Sequence, residues 1–160
     1  MTMTASELVE EIQSSYEGEL AEAEARSEVD AWVGVAPQEI QKIIRHLRDT
    51  HAPVHLSTIT GVDLGESIGV IYHCVAKGVS LNVHTAVPKG DDRIESITPV
   101  LPAAILYERE VHDLLGVEFV GHPDMRRLIL PEEWPEDDHP LRQDDADPAQ
   151  GGKESEEESA

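Results

Sequence analysis

Two adjacent runs with a strict period of two constrain the fold of this chain more than any other feature. Over residues 79–87, Val, Leu, Val, Thr and Val alternate with Ser, Asn, His and Ala. The preceding run, residues 68–76, places Val, Tyr and Cys on one side, and Lys77-Gly78 between the runs is a turn signal. This pattern is typical of half-buried strands, so it predicts a β-hairpin with one face towards the core.

Apolar residues recur at helical spacing in three other segments, residues 5–15, 37–49 and 99–115. Thr4 and Glu7 form a capping box ahead of the first segment. Gly116 ends the third. The sequence therefore predicts three helices that each bury one face.

Three further runs have strand character, at residues 20–25, 32–35 and 54–60, and residues 88–92 read as a loop. Together with the hairpin and the helices, they predict an α+β domain over residues 1–116. Its small mixed or antiparallel sheet would have helices packed on it.

The remainder of the chain has no clear periodicity. Residues 117–144 contain four prolines, together with Phe119, Trp134 and a pair of arginines. We expect an extended partner-binding arm, called the C-terminal arm below. Residues 145–160 are mostly Asp, Glu, Gly, Ser and Ala, and this composition predicts a disordered acidic tail.

The charge of the chain argues against two classes of partner. It carries 33 acidic against 12 basic residues, a formal net charge of −21. Such a surface repels phosphate backbones and anionic headgroups, so nucleic acid and direct bilayer insertion are not expected. Cys74 is alone, which excludes an intramolecular disulfide and a cluster held by this chain's own thiolates.

Two short motifs have a catalytic or metal-binding interpretation. Ser67 lies in a Gly-x-Ser-x-Gly string, but a nucleophile elbow needs a helix after the serine, and here a strand-like run follows. His51 and His55 have the four-residue spacing of a zinc site on a helix, but Pro53 breaks the helix and no third ligand is near in sequence. No dinucleotide or Walker A loop occurs. We therefore expect no catalytic, cofactor-binding or metal-binding residues.

Residues 108–129 carry the densest pattern of charged residues. On a helix, Arg109 would pair with Asp113, and Glu108 with His112, because the partners are four residues apart. Glu108 borders the apolar stripe, where a carboxylate needs a partner or water. Planar guanidinium groups such as those of Arg126 and its neighbour favour interfaces. A solvated charged helix followed by a coil is the alternative.

This region resembles the signature of one family of respiratory complex I proteins, that of the C-type or 30 kDa subunit. Residues 131–142 are similar to the end of the same family. The residues that we identify as the family signature and partner interface are Glu108, Arg109, Glu110, Asp113, His122, Arg126, Arg127, Trp134 and Arg142. Ala104-Ile105, His112 and Leu115 depart from the usual pattern.

The resemblance implies a protein without a cofactor of its own, at the cytoplasmic face of the cell membrane. It implies a hetero-oligomeric complex in which a D-type partner, related to the large subunit of hydrogenases, lies next to the quinone-reducing module. Iron–sulfur clusters and quinone would then belong to partner subunits. The same resemblance extends to scaffold subunits of energy-converting [NiFe] hydrogenases, so both complexes stay open.

Overall fold

The protein is a mixed sheet with helices on one of its faces, and the computed structural model describes residues 2–143. Five strands form the main sheet in the order β1-β2-β5-β4-β3. All neighbours are antiparallel except β2 and β5, which run parallel. The strands are β1 (Glu22–Ala25), β2 (Asp30–Gly34), β3 (Val54–Asp63), β4 (Ser67–Ala76) and β5 (Val79–Pro88). The predicted α+β class with a mixed sheet is confirmed.

Three helices and a small second sheet complete the fold. The helices are α1 (Ala5–Ser15), α2 (Ile40–Thr50), which follows a single 3-10 turn at Pro37–Glu39, and α3 (Ala104–Leu115). The second sheet pairs β6 (Arg93–Glu95) with β7 (Glu118–Val120) in parallel.

The predicted hairpin is the centre of the sheet. Cys74 lies opposite Leu81, and the connecting turn has positive φ at both Lys77 (54°) and Gly78 (82°). Positive φ at both central residues matches the right-handed twist of paired strands. The core side of the alternation holds, since Val79, Leu81 and Val83 are fully buried. On the opposite side Ser80 is exposed, but Asn82 is buried as well.

The helices bury their apolar stripes against one face of the sheet. In α1, Leu8 and Ile12 are fully buried, and the capping box between Thr4 and Glu7 is present. Helix α3 lies close to β3, because Gly61 has no side chain there. A Cβ at Gly61 would overlap Cδ1 of Leu115. This close approach fixes the position of α3, which carries the first part of the family signature.

The predicted elements differ from the structure in three places. Helix α3 begins at Ala104 rather than at residue 99, because residues 98–103 form turns, one of them closed by Val100 N–H donating to Ile97. The strands β6 and β7 were not predicted, since three residues are too few to show a period of two. The predicted strand at 54–60 continues to Asp63.

The described C-terminal arm consists of two parts with different structure. Residues 118–120 form β7, whereas residues 121–143 contain neither helix nor strand and lie against α3 of their own chain. The predicted acidic tail, residues 145–160, lies outside the described residues.

Candidate partner-binding site

Side chains of α3 hold the C-terminal arm by its backbone, and Asp113 is the centre of this arrangement. Asp113 is 3% exposed, and its Oδ2 accepts the N–H groups of Leu128 (2.8 Å), Ile129 (2.8 Å) and Leu130 (3.3 Å). Burial by itself would raise the pKa of Asp113, but the three backbone donors and nearby His112 outweigh it and hold the pKa below its ordinary value. Asp113 therefore binds this loop as a carboxylate.

Arg109 binds the carbonyl groups of the same loop. Its Nε donates to the carbonyl oxygen of Arg126 (2.8 Å) and its Nη2 to that of Arg127 (2.9 Å). A guanidinium group suits this task because its donors are fixed in one plane. One turn of α3 thus offers a cation to two carbonyls and an anion to three N–H groups.

The loop that these two residues hold presents apolar side chains to solvent. Leu128 is 39% and Ile129 is 54% exposed. Beside them the Arg126 side chain is 85% exposed, with a bidentate pair to Asp124 at 2.8 Å. The side-chain hydrogen bonds from Arg126 hold the pKa of Asp124 well below its usual range. We call Arg126, Leu128 and Ile129 the exposed ridge.

Two other predicted interface residues have partners within the arm itself. Arg127 Nη1 donates to the carbonyl oxygens of Pro131 (2.7 Å) and Glu132 (3.2 Å). Trp134 Nε1 donates to the carbonyl oxygen of Asp138 at 2.9 Å. Both side chains therefore shape the turns of the arm.

The last residues of the arm cap the C-terminal end of α3. The carbonyl groups of a final helical turn lack intrahelical donors. Here His139 Nδ1 contacts the carbonyl oxygen of Asp113 (2.9 Å), Leu141 N–H donates to that of Leu114 (3.0 Å) and Arg142 Nε donates to that of Leu115 (2.6 Å). Arg142 Nη2 also pairs with Asp92 ahead of β6.

Glu108 and His122 lie inside the protein rather than at its surface. Glu108 is fully buried and accepts the hydroxyl of Ser96 (2.7 Å) and the N–H of Ile97 (2.8 Å). Burial raises the pKa of Glu108 to about 7, although both hydrogen bonds act in the opposite direction. His122 Nε2 lies 3.9 Å from the Glu108 carboxylate.

The hydrogen bonds of His122 indicate its tautomer. Its Nδ1 accepts the N–H of Asp124 (2.9 Å), so the ring proton is on Nε2, which faces the carbonyl oxygen of Ile105 (2.9 Å). His122 therefore joins the start of the arm to α3. Glu110, by contrast, is half-exposed and lines a groove between α3 and β3.

The two side-chain pairs predicted from helical spacing are wrong. Within residues 2–143, Arg109 and Asp113 do not pair with each other, since each binds backbone of the arm. Glu108 binds Ser96, while His112 Nδ1 contacts the carbonyl oxygen of Val117 at 2.8 Å. Spacing on one helix carried no information about the segments that pack on it.

Sequence reasoning also missed Asp63, which binds the end of the described chain. Asp63 accepts from Lys89 Nζ, Gln143 N–H and Gly65 N–H, each at 2.8 Å. The Lys89 hydrogen bond first of all, then the two backbone donors, lowers the pKa of Asp63 to about 2. An Asp two residues before a Gly is a turn pattern, so the bond from Gly65 N–H to Asp63 could be expected from the sequence. The bond from Gln143 N–H joins residues 80 apart, and no sequence pattern indicates it.

The candidate chemical motifs do not assemble into sites within the described residues. Ser67 opens β4 of an antiparallel hairpin, so the strand-then-helix geometry of a nucleophile elbow is missing around it. His51 is buried with Nδ1 3.5 Å from Glu11, while His55 is exposed on β3. Residues 2–143 contain no group of three or more His, Cys, Asp or Glu side chains arranged for a metal ion. No helix in that range is long and apolar enough to cross a membrane.

The chain is similar to proteins of one known family, which occur in several respiratory and hydrogenase complexes. The model of the family "Respiratory-chain NADH dehydrogenase, 30 Kd subunit" matches residues 33–150. The C-type subunit of the NADH-quinone oxidoreductase of Moorella thermoacetica is 32% identical over 135 residues, which cover 81% of this chain and 90% of that protein. The β subunit of a membrane-bound hydrogenase of Pyrococcus furiosus is 30% identical over 119 residues, covering 71% and 69%.

One solved structure and one longer relative extend the comparison. A chain of the membrane-bound sulfane sulfur reductase, an archaeal respiratory membrane complex, superposes with a TM-score of 0.80 at 26% identity, covering 94% of this chain and 90% of that one. The joined C/D protein of the NADH-quinone oxidoreductase of Methylococcus capsulatus is 46% identical over 77 residues. These are 47% of this chain but only 13% of that protein.

Proposed function

Since the chain belongs to the family of the 30 kDa subunit of respiratory-chain NADH dehydrogenase, we propose that it is a non-catalytic scaffold subunit. The complex would be a proton-translocating quinone oxidoreductase of the complex I type, with NADH or another electron donor. In it the C-terminal arm binds a D-type partner near the quinone site. Relatives of the chain in other membrane complexes support a role that does not depend on one particular electron donor.

The observation that carries this proposal is the way α3 holds the exposed ridge. Five backbone groups of residues 126–130 are bound by two side chains, so the loop is ordered before any partner arrives. A pre-ordered loop loses little conformational entropy on binding. Leucine and isoleucine that are 39% and 54% exposed on an ordered loop are suited to an apolar pocket of a partner.

The choice of a D-type partner is supported by the Methylococcus relative, whose name joins C and D in one protein. Joining in one polypeptide keeps two proteins together that otherwise assemble from separate chains. We place the complex at the cytoplasmic face of the membrane, with iron–sulfur clusters and quinone in partner subunits. Cys74, the chain's one cysteine, is 1% exposed in the core, which suits this arrangement.

A second candidate is the equivalent scaffold subunit of an energy-converting membrane-bound [NiFe] hydrogenase. The Pyrococcus relative supports it, because it is the β subunit of a membrane-bound hydrogenase at 30% identity. The large partner that co-purifies with this chain would separate the two candidates. Paired cysteine motifs in that partner favour the hydrogenase, and their loss favours quinone chemistry.

The test is co-purification of the tagged chain from detergent-solubilised membranes. Replacing the apolar pair of the ridge (Leu128→Ser with Ile129→Ser) is expected to lower recovery of the large partner at least about tenfold, because two apolar contacts of about 1 kcal/mol or more are lost. Val29→Ser is the matched control, since Val29 is 58% exposed and lies away from the ridge, just ahead of β2. Normal recovery of the partner with the double variant would refute the role of the ridge.

A further inference from the structure

The two edges of the main sheet differ in how they are protected. Strand β1 forms one edge with only four residues, two of them glutamate. Strand β3 forms the other edge with ten residues, and it contains no lysine, arginine or proline. Short length and charge are the usual means of blocking an edge against further pairing. The β1 edge is blocked in this way. Strand β3 has one protecting feature of another kind, the irregularity between Leu56 and Thr58. From Thr58 to Val62 its outer edge has no charged residue and no proline, and this part of the edge is open.

A groove runs beside the open edge. It has a volume of about 240 Å³ and lies between β3 and α3. Its apolar wall is formed by Val111, Leu114, Leu115 and Leu141. Leu141 remains 53% exposed although the arm is fixed there. Backbone groups along the edge and apolar side chains beside it are the two features that an added strand requires.

We propose that the outer edge of β3 accepts an extended segment of the partner protein as a sixth strand of the sheet. Backbone hydrogen bonds to β3 give the affinity, and alternate side chains of the added strand enter the groove beside α3. This inference rests on the proposed function, because it names how the proposed D-type partner is held. It adds a second contact to the exposed ridge.

The end of the described chain indicates why the occupant is that partner. The N–H of Gln143 is bound by Asp63 at 2.8 Å, so the chain leaves the described part at the end of β3 itself. In a protein joined in the order C then D, the partner's polypeptide would follow the segment that begins here, beside the end of β3.

Two other occupants are less suited to the edge. Residues 144–160 of this chain contain no β-branched or aromatic residue, the types that strands favour. A second copy would bring together two chains that each carry a net charge of −21.

Hydrogen exchange of the β3 amides tests the proposal on the unmodified protein. Outward-facing amides of β3 are expected to exchange at least about fivefold more slowly in the purified complex than in the isolated chain, the factor that one hydrogen bond of ordinary net strength gives. The β1 amides serve as the internal control and should not change. Equal exchange of β3 in both states, with the partner present, overturns the inference and leaves the proposed function standing. If the large partner does not co-purify, the proposed function itself fails.

A variant gives a second measurement. Ser57 is the extra residue of the irregularity between Leu56 and Thr58, a position where proline is tolerated. Ser57→Pro should reduce incorporation into the complex at least about fivefold while the isolated chain melts within a few degrees of the wild type. Ala23→Pro on β1 is the matched control and should incorporate normally, because the β1–β2 register directs the Ala23 N–H away from β2.

The other occupants give distinct results. Protection of β3 in the isolated chain that disappears on truncation after residue 143 would mean that the chain's own end occupies the edge, and it would refute the inference. Protection that appears together with a dimeric mass of the isolated chain would also refute it, in favour of a second copy.

Discussion

Replacing Glu108 by glutamine should change how the stability of the isolated protein depends on pH. Glu108 is fully buried, and its pKa is raised from 4.5 to about 7 by burial. The folded state therefore binds a proton that the unfolded state has released between pH 4.5 and 7. The contribution of Glu108 to the free energy of unfolding is therefore fully present below about pH 4.5. It is lost as the pH rises from 4.5 through 7. A pKa difference of this size between the two states corresponds to about 3 kcal/mol.

The measurement compares urea unfolding of the wild type and Glu108→Gln between pH 4.5 and 8, followed by circular dichroism at fixed ionic strength. Glutamine is a neutral isostere of the protonated acid, and its carbonyl oxygen can still accept from Ile97 N–H. The variant should gain about 3 kcal/mol relative to the wild type across this range. The general repulsion among the many carboxylates affects both proteins and cancels in the difference.

Glu110→Gln is the control, because Glu110 lies on the same helix and is half-exposed. Its stability should follow the wild-type curve. A difference between Glu108→Gln and wild type that stays constant with pH would refute the reasoning that burial governs Glu108. A difference of opposite sign would mean that the hydrogen bonds from Ser96 and Ile97, which favour the carboxylate, outweigh burial.

The contacts of α3 and the ridge lead to three other expected outcomes. Asp113→Ala leaves three N–H groups without their acceptor, so the free energy of unfolding should fall by about 1–3 kcal/mol in urea titrations. Recovery of the partner should fall by a larger factor than this loss of stability accounts for. Arg126→Glu should weaken partner recovery while the melting temperature of the isolated chain changes little, since the Arg126 side chain is 85% exposed; equal loss of both would contradict an interface role. Gly61→Ala should cost about 1–3 kcal/mol by overpacking against Leu115, and Leu115→Ala in the same chain should relieve part of that cost in a double-mutant cycle.

Local patterns predicted most of the fold because the forces that decide it are local. The capping box at Thr4, the alternation through β5 and the turn at Lys77-Gly78 each concern neighbours in the chain. The start of α3 was predicted too early because Pro99 reads as a helix start, whereas Ala104 is where the helix begins. The three-residue strands β6 and β7 are held by pairing over a separation of 25 residues, which no periodicity records.

The candidate site shows where a pattern of residue types stops being informative. The sequence marked Arg109 and Asp113 as important, yet the pairing it predicted between them is absent from the described residues, because both bind backbone groups 15 to 18 residues further along. Backbone groups are the same at every position, so a side chain that binds them leaves no signature at the other end. Arg109 and Asp113 bind the arm and so determine its shape, and Glu108 binds residues 96 and 97 ahead of α3. The exposed ridge and the edge of β3 are available to a partner. We therefore expect differences between complexes to lie in the ridge and along β3, and the α3 contacts to be shared among them.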